Sequence, residues 1–268
     1  MPARTLSAKL VTSVSIVMIA AGLAGCANRN PTTGSIGPSA SRMSQMSEAE
    51  LNGEAARLGK KYAKNPTDKA TAMSYATLLQ MNGRTEQSLA VMRKLAIALP
   101  KDRQVLAAYG KSLAGAGQFE PALDAIRRAQ TPEYPDWKLF SAEASILDQL
   151  GQKNEARALF NKAADLKPNE PSILSNLGMS YLMEGDLRTA ETHMRKAVEM
   201  PGADSRVRQN LALVVGLQGR FDEAEQIARQ ELSPDQAQAN VDYMRQMLSQ
   251  QNAWNDLKKD EKKKKDTN

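Results

Sequence analysis

The chain has 268 residues, 25% of them charged, with 36 Lys and Arg against 30 Asp and Glu. One cysteine excludes an intramolecular disulfide and a thiolate metal site. The formal charge of +6 resides largely at the two ends: Arg4 and Lys9 lie near the start, and six lysines against three acids lie from Lys258 onward. The remainder is almost neutral, which excludes the basic face of a nucleic-acid binder.

The first element is a leader. Arg4 and Lys9 precede the apolar run LVTSVSIVMIAAG with no acidic residue before it. A charged start, an apolar stretch and small residues, in that order, define a signal peptide over residues 1–25. Its apolar part falls short of the ~20 residues that span a bilayer comfortably. The run ends in Leu23-Ala24-Gly25-Cys26, which resembles the bacterial lipobox. The resemblance implies that Cys26 receives a diacylglyceryl group, that the chain is cut before it, and that the new amine is acylated. Each buried methylene adds ~0.8 kcal/mol of membrane affinity, so several chains hold firmly where one does not. Ala27, rather than Asp, follows the cysteine, and in enteric lipoproteins that implies the outer membrane. The expected location is therefore the cell outer membrane, lipid-anchored on the periplasmic side. A mature chain without other thiols suits an oxidising periplasm.

After Cys26 the sequence ANRNPTTGSIGPSASRMSQM has little to bury, so residues 26–46 are the acylated cysteine and a flexible tether. Twenty such residues reach roughly 25 Å r.m.s. by coil scaling. Ser47 and Glu50 then offer a capping box. A lone helix follows, with Leu51, Ala55, Leu58 and Tyr62 on one face, giving an N-terminal capping helix over 47–68.

From there glycines recur at Gly83, Gly117, Gly151, Gly185 and Gly219, each 34 residues apart. Seven residues before each stands Ala76, Gly110, Ala144, Gly178 or Ala212; five after stands Ser88, Ala122, Ala156, Ala190 or Ala224. Pro66, Pro100 and Pro168 share the period. A 34-residue period with this spacing resembles the tetratricopeptide repeat. The clearest copy is LSNLGMSYLMEGDLRTAETHMRKA, through Leu177-Gly178, Tyr181, Gly185, Ala190 and Ala197. Leu174, Leu177, Gly178 and Tyr181 follow i, i+3, i+4, i+7, one apolar helix face. Gly185 ends that helix with φ > 0, and Pro168 separates one repeat from the next. The fold class is thus all-α, a solenoid of five helix-turn-helix repeats over 69–236.

Two repeats depart from the pattern. In the third, TPEYPDW lengthens the approach and Glu143 takes a usually apolar position, which a small helix rotation would expose to solvent. In the fifth, Arg208, Ala228 and Glu231 replace apolar or small residues, as terminal repeats do. A C-terminal capping helix over 237–257 and a disordered Lys-rich tail over 258–268 complete the chain.

No catalytic constellation is legible. His193, between Thr192 and Met194, reads as a surface residue; no triad, metal cluster or Gly-rich phosphate loop accompanies it. No enzyme activity, cofactor, metal or small-molecule substrate is expected. The thirteen methionines read mostly as packing.

The repeat family places its ligand groove on the first helix of each pair. Carried over, those positions are Met73 and Thr77, Ala107 and Lys111, Ser141 and Ser145, then Ser175, Asn176 and Met179, then Gln209, Asn210 and Leu213. Asn176 and Asn210 match a position that often bonds ligand backbone in that family. Met73, Thr77, Ala107 and Lys111 do not form the family's two-carboxylate clamp, so a helix or broad protein surface is the expected ligand. Finally, SPDQAQANVDYMRQMLSQQNAW, from Ser233 to Trp254, resembles the closing helix of lipoproteins of the Flp pilus, or tight-adherence, system (the TadD-like family). That resemblance implies a pilotin-like scaffold whose partners are pilus-assembly proteins, the secretin channel among them. Pilotins of ordinary type IV pili, outer-membrane-protein assembly lipoproteins and periplasmic adaptors for cell-wall enzymes share the same features and stay open as alternatives.

Overall fold

The structure, a computed structural model, describes residues 46–266, and the surroundings of side chains up to residue 250. The expected signal peptide, Cys26 and the tether lie outside the described residues. Twelve helices and no strand are present among the described residues. The chain divides into two compact units, one ending at Leu166 and one beginning at Lys167.

The first unit opens with α1 (Glu48–Lys64), whose start carries the expected box. The Glu50 amide donates to Ser47 Oγ, and Glu50 accepts from the Ser47 amide at 2.7 Å. Three helix pairs follow: α2 (Lys69–Met81) with α3 (Thr85–Ala98), α4 (Arg103–Gly115) with α5 (Phe119–Ala129), and α6 (Trp137–Gln149) with α7 (Lys153–Leu166). The second unit holds α8 (Pro171–Met183) with α9 (Leu187–Glu199), α10 (Ser205–Leu217) with α11 (Phe221–Ala228), and the terminal α12 (Pro234–Asp266).

Every first helix begins at the same point of the 34-residue period, and most beginnings share one chemistry. Asp68, Asp102, Asp136 and Asp204 each accept a backbone amide, from Thr71, Val105, Lys138 and Val207 respectively. An N-cap carboxylate satisfies an orphan amide and favours the positive end of the helix. At the corresponding place in α8 stands Glu170, which makes no such bond; there Pro171 occupies the first turn instead. The α6 start at Trp137 is therefore in register, and the long TPEYPDW approach reflects an α5 that ends early, at Ala129.

Each pair is closed by the same turn. Gly83, Gly117, Gly151, Gly185 and Gly219 have φ between 70° and 86°. The residue after each glycine donates its amide to the carbonyl five residues back, as Arg84 does to Leu79 and Asp186 to Tyr181. This is a Schellman closure, and it requires a left-handed residue that costs other side chains energy.

The pairs then cross closely at the small residues. Ala76, Ala144, Ala122, Ala156, Ala190, Ala212 and Ala224 are all buried. In the first pair the Ser88 hydroxyl donates to the Ala76 carbonyl at 2.8 Å. A methyl group on Gly178 would stand 2.8 Å from Met194 Cγ and 3.0 Å from the Ala190 oxygen. A methyl on Gly110 would meet Ile126 at 2.8 Å.

The clear apolar face expected on α8 needs correction. Leu177 and Gly178 are buried, but Leu174 and Tyr181 are only half-buried, and Ile173 and Ser175 are buried on another side. A first helix is packed on two flanks, so its buried arc is wider than one stripe. At the chain's end, Ala237, Val241 and Met244 of α12 are buried against the fifth pair, with Ala237 joining Ala212 and Ala228. The small Ala228 thus leaves the space that α12 fills. The helix continues to Asp266, through the segment read from sequence as a disordered tail. Lys, Asp and Glu are compatible with helix, and Asp260–Lys264 and Glu261–Lys265 are four-residue pairs of opposite charge.

Two glycine substitutions separate crossing from helix propensity. Gly178→Ala should lower unfolding free energy by about 1–3 kcal/mol, because the α9 backbone at Ala190 blocks the new methyl. Gly53→Ala, where nothing lies within 4 Å, should raise it by about 0.5–1 kcal/mol. Denaturation followed by circular dichroism reads both; equal effects would refute the close crossing.

Candidate functional site

The groove positions carried from the repeat family fall on the first helices of both units, and the structure sorts them. In the first unit Thr77 is exposed, its hydroxyl donating to the Met73 carbonyl at 3.0 Å. Lys111 and Ser145 are half-buried, and the Ser145 hydroxyl donates to the Ser141 carbonyl. Met73 and Ala107 pack partly into the core. Ser141 and Ser175 are buried, so they lie beneath the surface and not on it.

The second unit brings its residues together more closely. Asn210 on α10 donates its side-chain amide to the Ser175 hydroxyl on α8 at 3.0 Å. That bond ties two neighbouring first helices one residue off the 34-residue register and leaves the Asn210 carbonyl oxygen as an acceptor. Asn176 is half-buried beside Ser175 in sequence, and Met179 and Leu213 flank the buried cluster of α8–α12. Gln209 is exposed and donates to Ser205 Oγ at 2.9 Å. The face therefore offers amides with apolar edges, a surface suited to hydrogen-bonding a polypeptide. Among the described residues, no group of His, Cys, Asp and Glu is placed to hold a metal ion.

Several residues behave differently from their sequence reading. Glu143 is buried, not turned out: Arg127 donates to one carboxylate oxygen at 2.7 Å, and the Gln130 side-chain amide donates to the other. A charged group is accepted here because it is paired and fully hydrogen-bonded. His193 is half-buried and stacks on Tyr181, ring centroids 5.3 Å apart and planes within 6°. Its Nδ1 is buried without a partner among the described residues. Burial, and secondarily the nearby Lys196, hold its pKa below the ordinary histidine value. Arg208 and Glu231, two departures from the motif in the fifth repeat, pair with each other; Arg208 also donates to the Ala203 carbonyl at 2.9 Å.

Sequence reasoning missed one ionic network entirely. Glu191 and Arg195 on α9 meet Arg220 and Glu223 at the start of α11: Arg220 lies 2.5 Å from Glu191, and Arg195 contacts both carboxylates. Gln218 donates to Glu191 at 2.8 Å. The Arg220 hydrogen bond, against the opposing cost of burial, and then Gln218 and Arg195, draw the Glu191 pKa from 4.5 down to about 2. The readable signals were the i, i+4 pair Glu191–Arg195 and the i, i+3 pair Arg220–Glu223; their meeting in space was not readable.

Two tetratricopeptide-repeat family models match the sequence, over residues 139–170 and 175–239. A tetratricopeptide repeat protein from Parabacteroides merdae is similar in structure, with 13% identity, 74% of this chain and 78% of that chain covered, and a TM-score of 0.64. A thermophilic repeat protein of Thermus thermophilus is similar at 21% identity over 62% of this chain and 91% of that chain, with a TM-score of 0.52. The Cut9–Hcn1 hetero-tetramer of the APC/C is similar at 19% identity over 72% of this chain and 40% of that chain, with a TM-score of 0.55. No curated protein matches. The fold is that of a tetratricopeptide-repeat solenoid. Repeats of this kind are protein-interaction scaffolds, and the amide-bearing face of α8 and α10 fits that class.

The network gives a pH test. A carboxylate whose pKa is lowered by folding adds stability above its unfolded pKa and loses it as pH falls through the folded value. Stability contributed by Glu191 should therefore be complete above about pH 5 and disappear between roughly pH 4.5 and 2. Glu191→Gln should cost about 1–3 kcal/mol at neutral pH and flatten that acid limb in denaturant titrations. An unchanged acid limb would remove the network from the stability of the second unit.

Proposed function

We propose that this protein is a lipid-anchored periplasmic scaffold of the outer membrane that docks components of a pilus-assembly machine of the Flp, or tight-adherence, type. The observation that carries the docking part is the Asn210–Ser175 bond, which fixes an amide-bearing face across two repeats. A face held by its own hydrogen bonds loses less order on binding, which favours a defined partner. The anchor rests on the Leu23–Cys26 pattern, and the choice of pilus system on the Ser233–Trp254 resemblance. The secretin channel is the partner that this reading favours, with the membrane engaged through Cys26.

The anchor and the face are tested separately. Cys26→Ser should remain unprocessed or soluble, and labelled fatty acid should enter the native chain only. Equal membrane retention of processed, unlabelled Cys26→Ser would overturn the anchor.

The double variant Asn176→Asp/Asn210→Asp keeps side-chain size and lets Ser175 donate to the new carboxylate. Both positions are half-buried and Asn210 gives up its donation to Ser175, so the variant should lose about 0.5–1.5 kcal/mol of stability. Docking should weaken by about 1–3 kcal/mol for each donor left unmatched in the interface. The variant should fold, stay anchored, and fail to co-purify with the channel or to support pilus output. Normal pilus output and co-purification would assign docking elsewhere on the chain.

A further inference from the structure

The terminal helix is longer than the fold requires. Its buried line is Ala237, Val241 and Met244, and Met244 is the last buried residue among those described up to residue 250. From there α12 runs on to Asp266, about 33 Å at 1.5 Å per residue.

A second line of residues lies roughly 120° around the same helix, by 100° per residue. Tyr243, Met247, Gln250, Trp254 and Leu257 follow one another at i, i+4, i+7, i+11 and i+14. Tyr243 is 62% exposed, so this line is not the one that packs on the fifth repeat. Past Trp254, Lys258, Lys264 and Lys265 fall within about 60° of that line and Lys262 about 100° from it, while Lys259 and Lys263 fall on the opposite side of the helix. Lys264 flanks the line on the edge opposite Lys258, Asp260 lies about 100° from the line on that same edge, and Glu261 ends the apolar line.

We propose that α12 beyond Met244 lies on the surface of an anionic phospholipid bilayer, aromatic and apolar line inward and lysines against the headgroup phosphates. Three features favour this occupant. Tyr and Trp are the residues that settle at the bilayer interface, and long lysine stems reach from an apolar depth to the headgroups. A basic cluster beside an apolar line is the arrangement of helices that lie in the interface plane. No helix among the described residues is long and apolar enough to cross a membrane, so this helix lies on the bilayer. A second copy aligned in parallel would set one lysine cluster beside another and is disfavoured by repulsion. The inference does not depend on acylation of Cys26 or on the pilus partner.

Trp254 supplies a local readout, independent of how the N-terminus is held. The chain has two tryptophans, so the full chain bearing Trp137→Phe reports from Trp254 alone. Mixed from detergent with vesicles of phosphatidylcholine and phosphatidylglycerol, its emission should shift to the blue and be quenched by brominated phosphatidylglycerol. Both effects should be absent in vesicles of phosphatidylcholine alone and should weaken with added salt. Gln at Lys258, Lys262, Lys264 and Lys265 should lose most of the quenching, and Arg at the same places should retain it. Identical Trp254 emission in the two vesicle types would overturn the proposal. A blue shift that grows with protein concentration without lipid would also overturn it, assigning the line to a second copy of this chain.

Discussion

Close crossing of two helices within each repeat is the constraint from which the rest of the structure follows. A helix pair can approach only where side chains are absent or small, and the chain places Gly, Ala or Ser there five times over. Gly178 shows how tight the fit is: the added methyl of alanine would meet both Met194 and the Ala190 backbone. Burial of Met92, Ile126, Phe160 and Met194 at equivalent places of successive second helices fills the space around each crossing. The left-handed glycines turn the chain back on itself, and the N-cap aspartates restart it at the same phase. With phase fixed, the first helices present equivalent residues at equivalent places, and a binding face becomes possible.

Glu143, Arg208 and Glu191 enter or border this core in compensated sets. Glu143 is held by Arg127 and Gln130, Arg208 by Glu231, and Glu191 by two arginines and a glutamine. Removing one partner from such a set leaves a charge out of water without its compensation, which is why single changes there are costly. The paired departures in the fifth repeat also explain its weak resemblance to the motif. Arg208 and Glu231 exchange an apolar contact for an ion pair, and Ala228 yields its volume to α12.

The sequence made the repeat period, the glycine turns, the Ser47 box and the capping helix at the chain's end readable, because each depends on local spacing. It also placed Asn176 and Asn210 on the first helices, where they stand. What escaped depends on residues distant in the chain. Glu143 was read as exposed because Arg127 and Gln130 lie on the preceding helix and beyond its end. His193 was read as a surface residue because its stack on Tyr181 crosses the Gly185 turn. Ser141 and Ser175 were taken as surface positions, but first helices are packed on two flanks and those serines face inward. The N-cap residues Asp68, Asp102, Asp136 and Asp204 keep the same 34-residue period, so they are legible in the sequence as well.

A docking scaffold should touch its partner through the first helices of the second unit. Photo-crosslinking residues placed in living cells at Gln209, an exposed groove position, and at Thr192, exposed on the second helix α9, test this directly. The account expects a crosslink from position 209 to a component of the pilus-assembly channel, identified by mass spectrometry, and none from position 192. Crosslinking to that component from position 192 alone would contradict it.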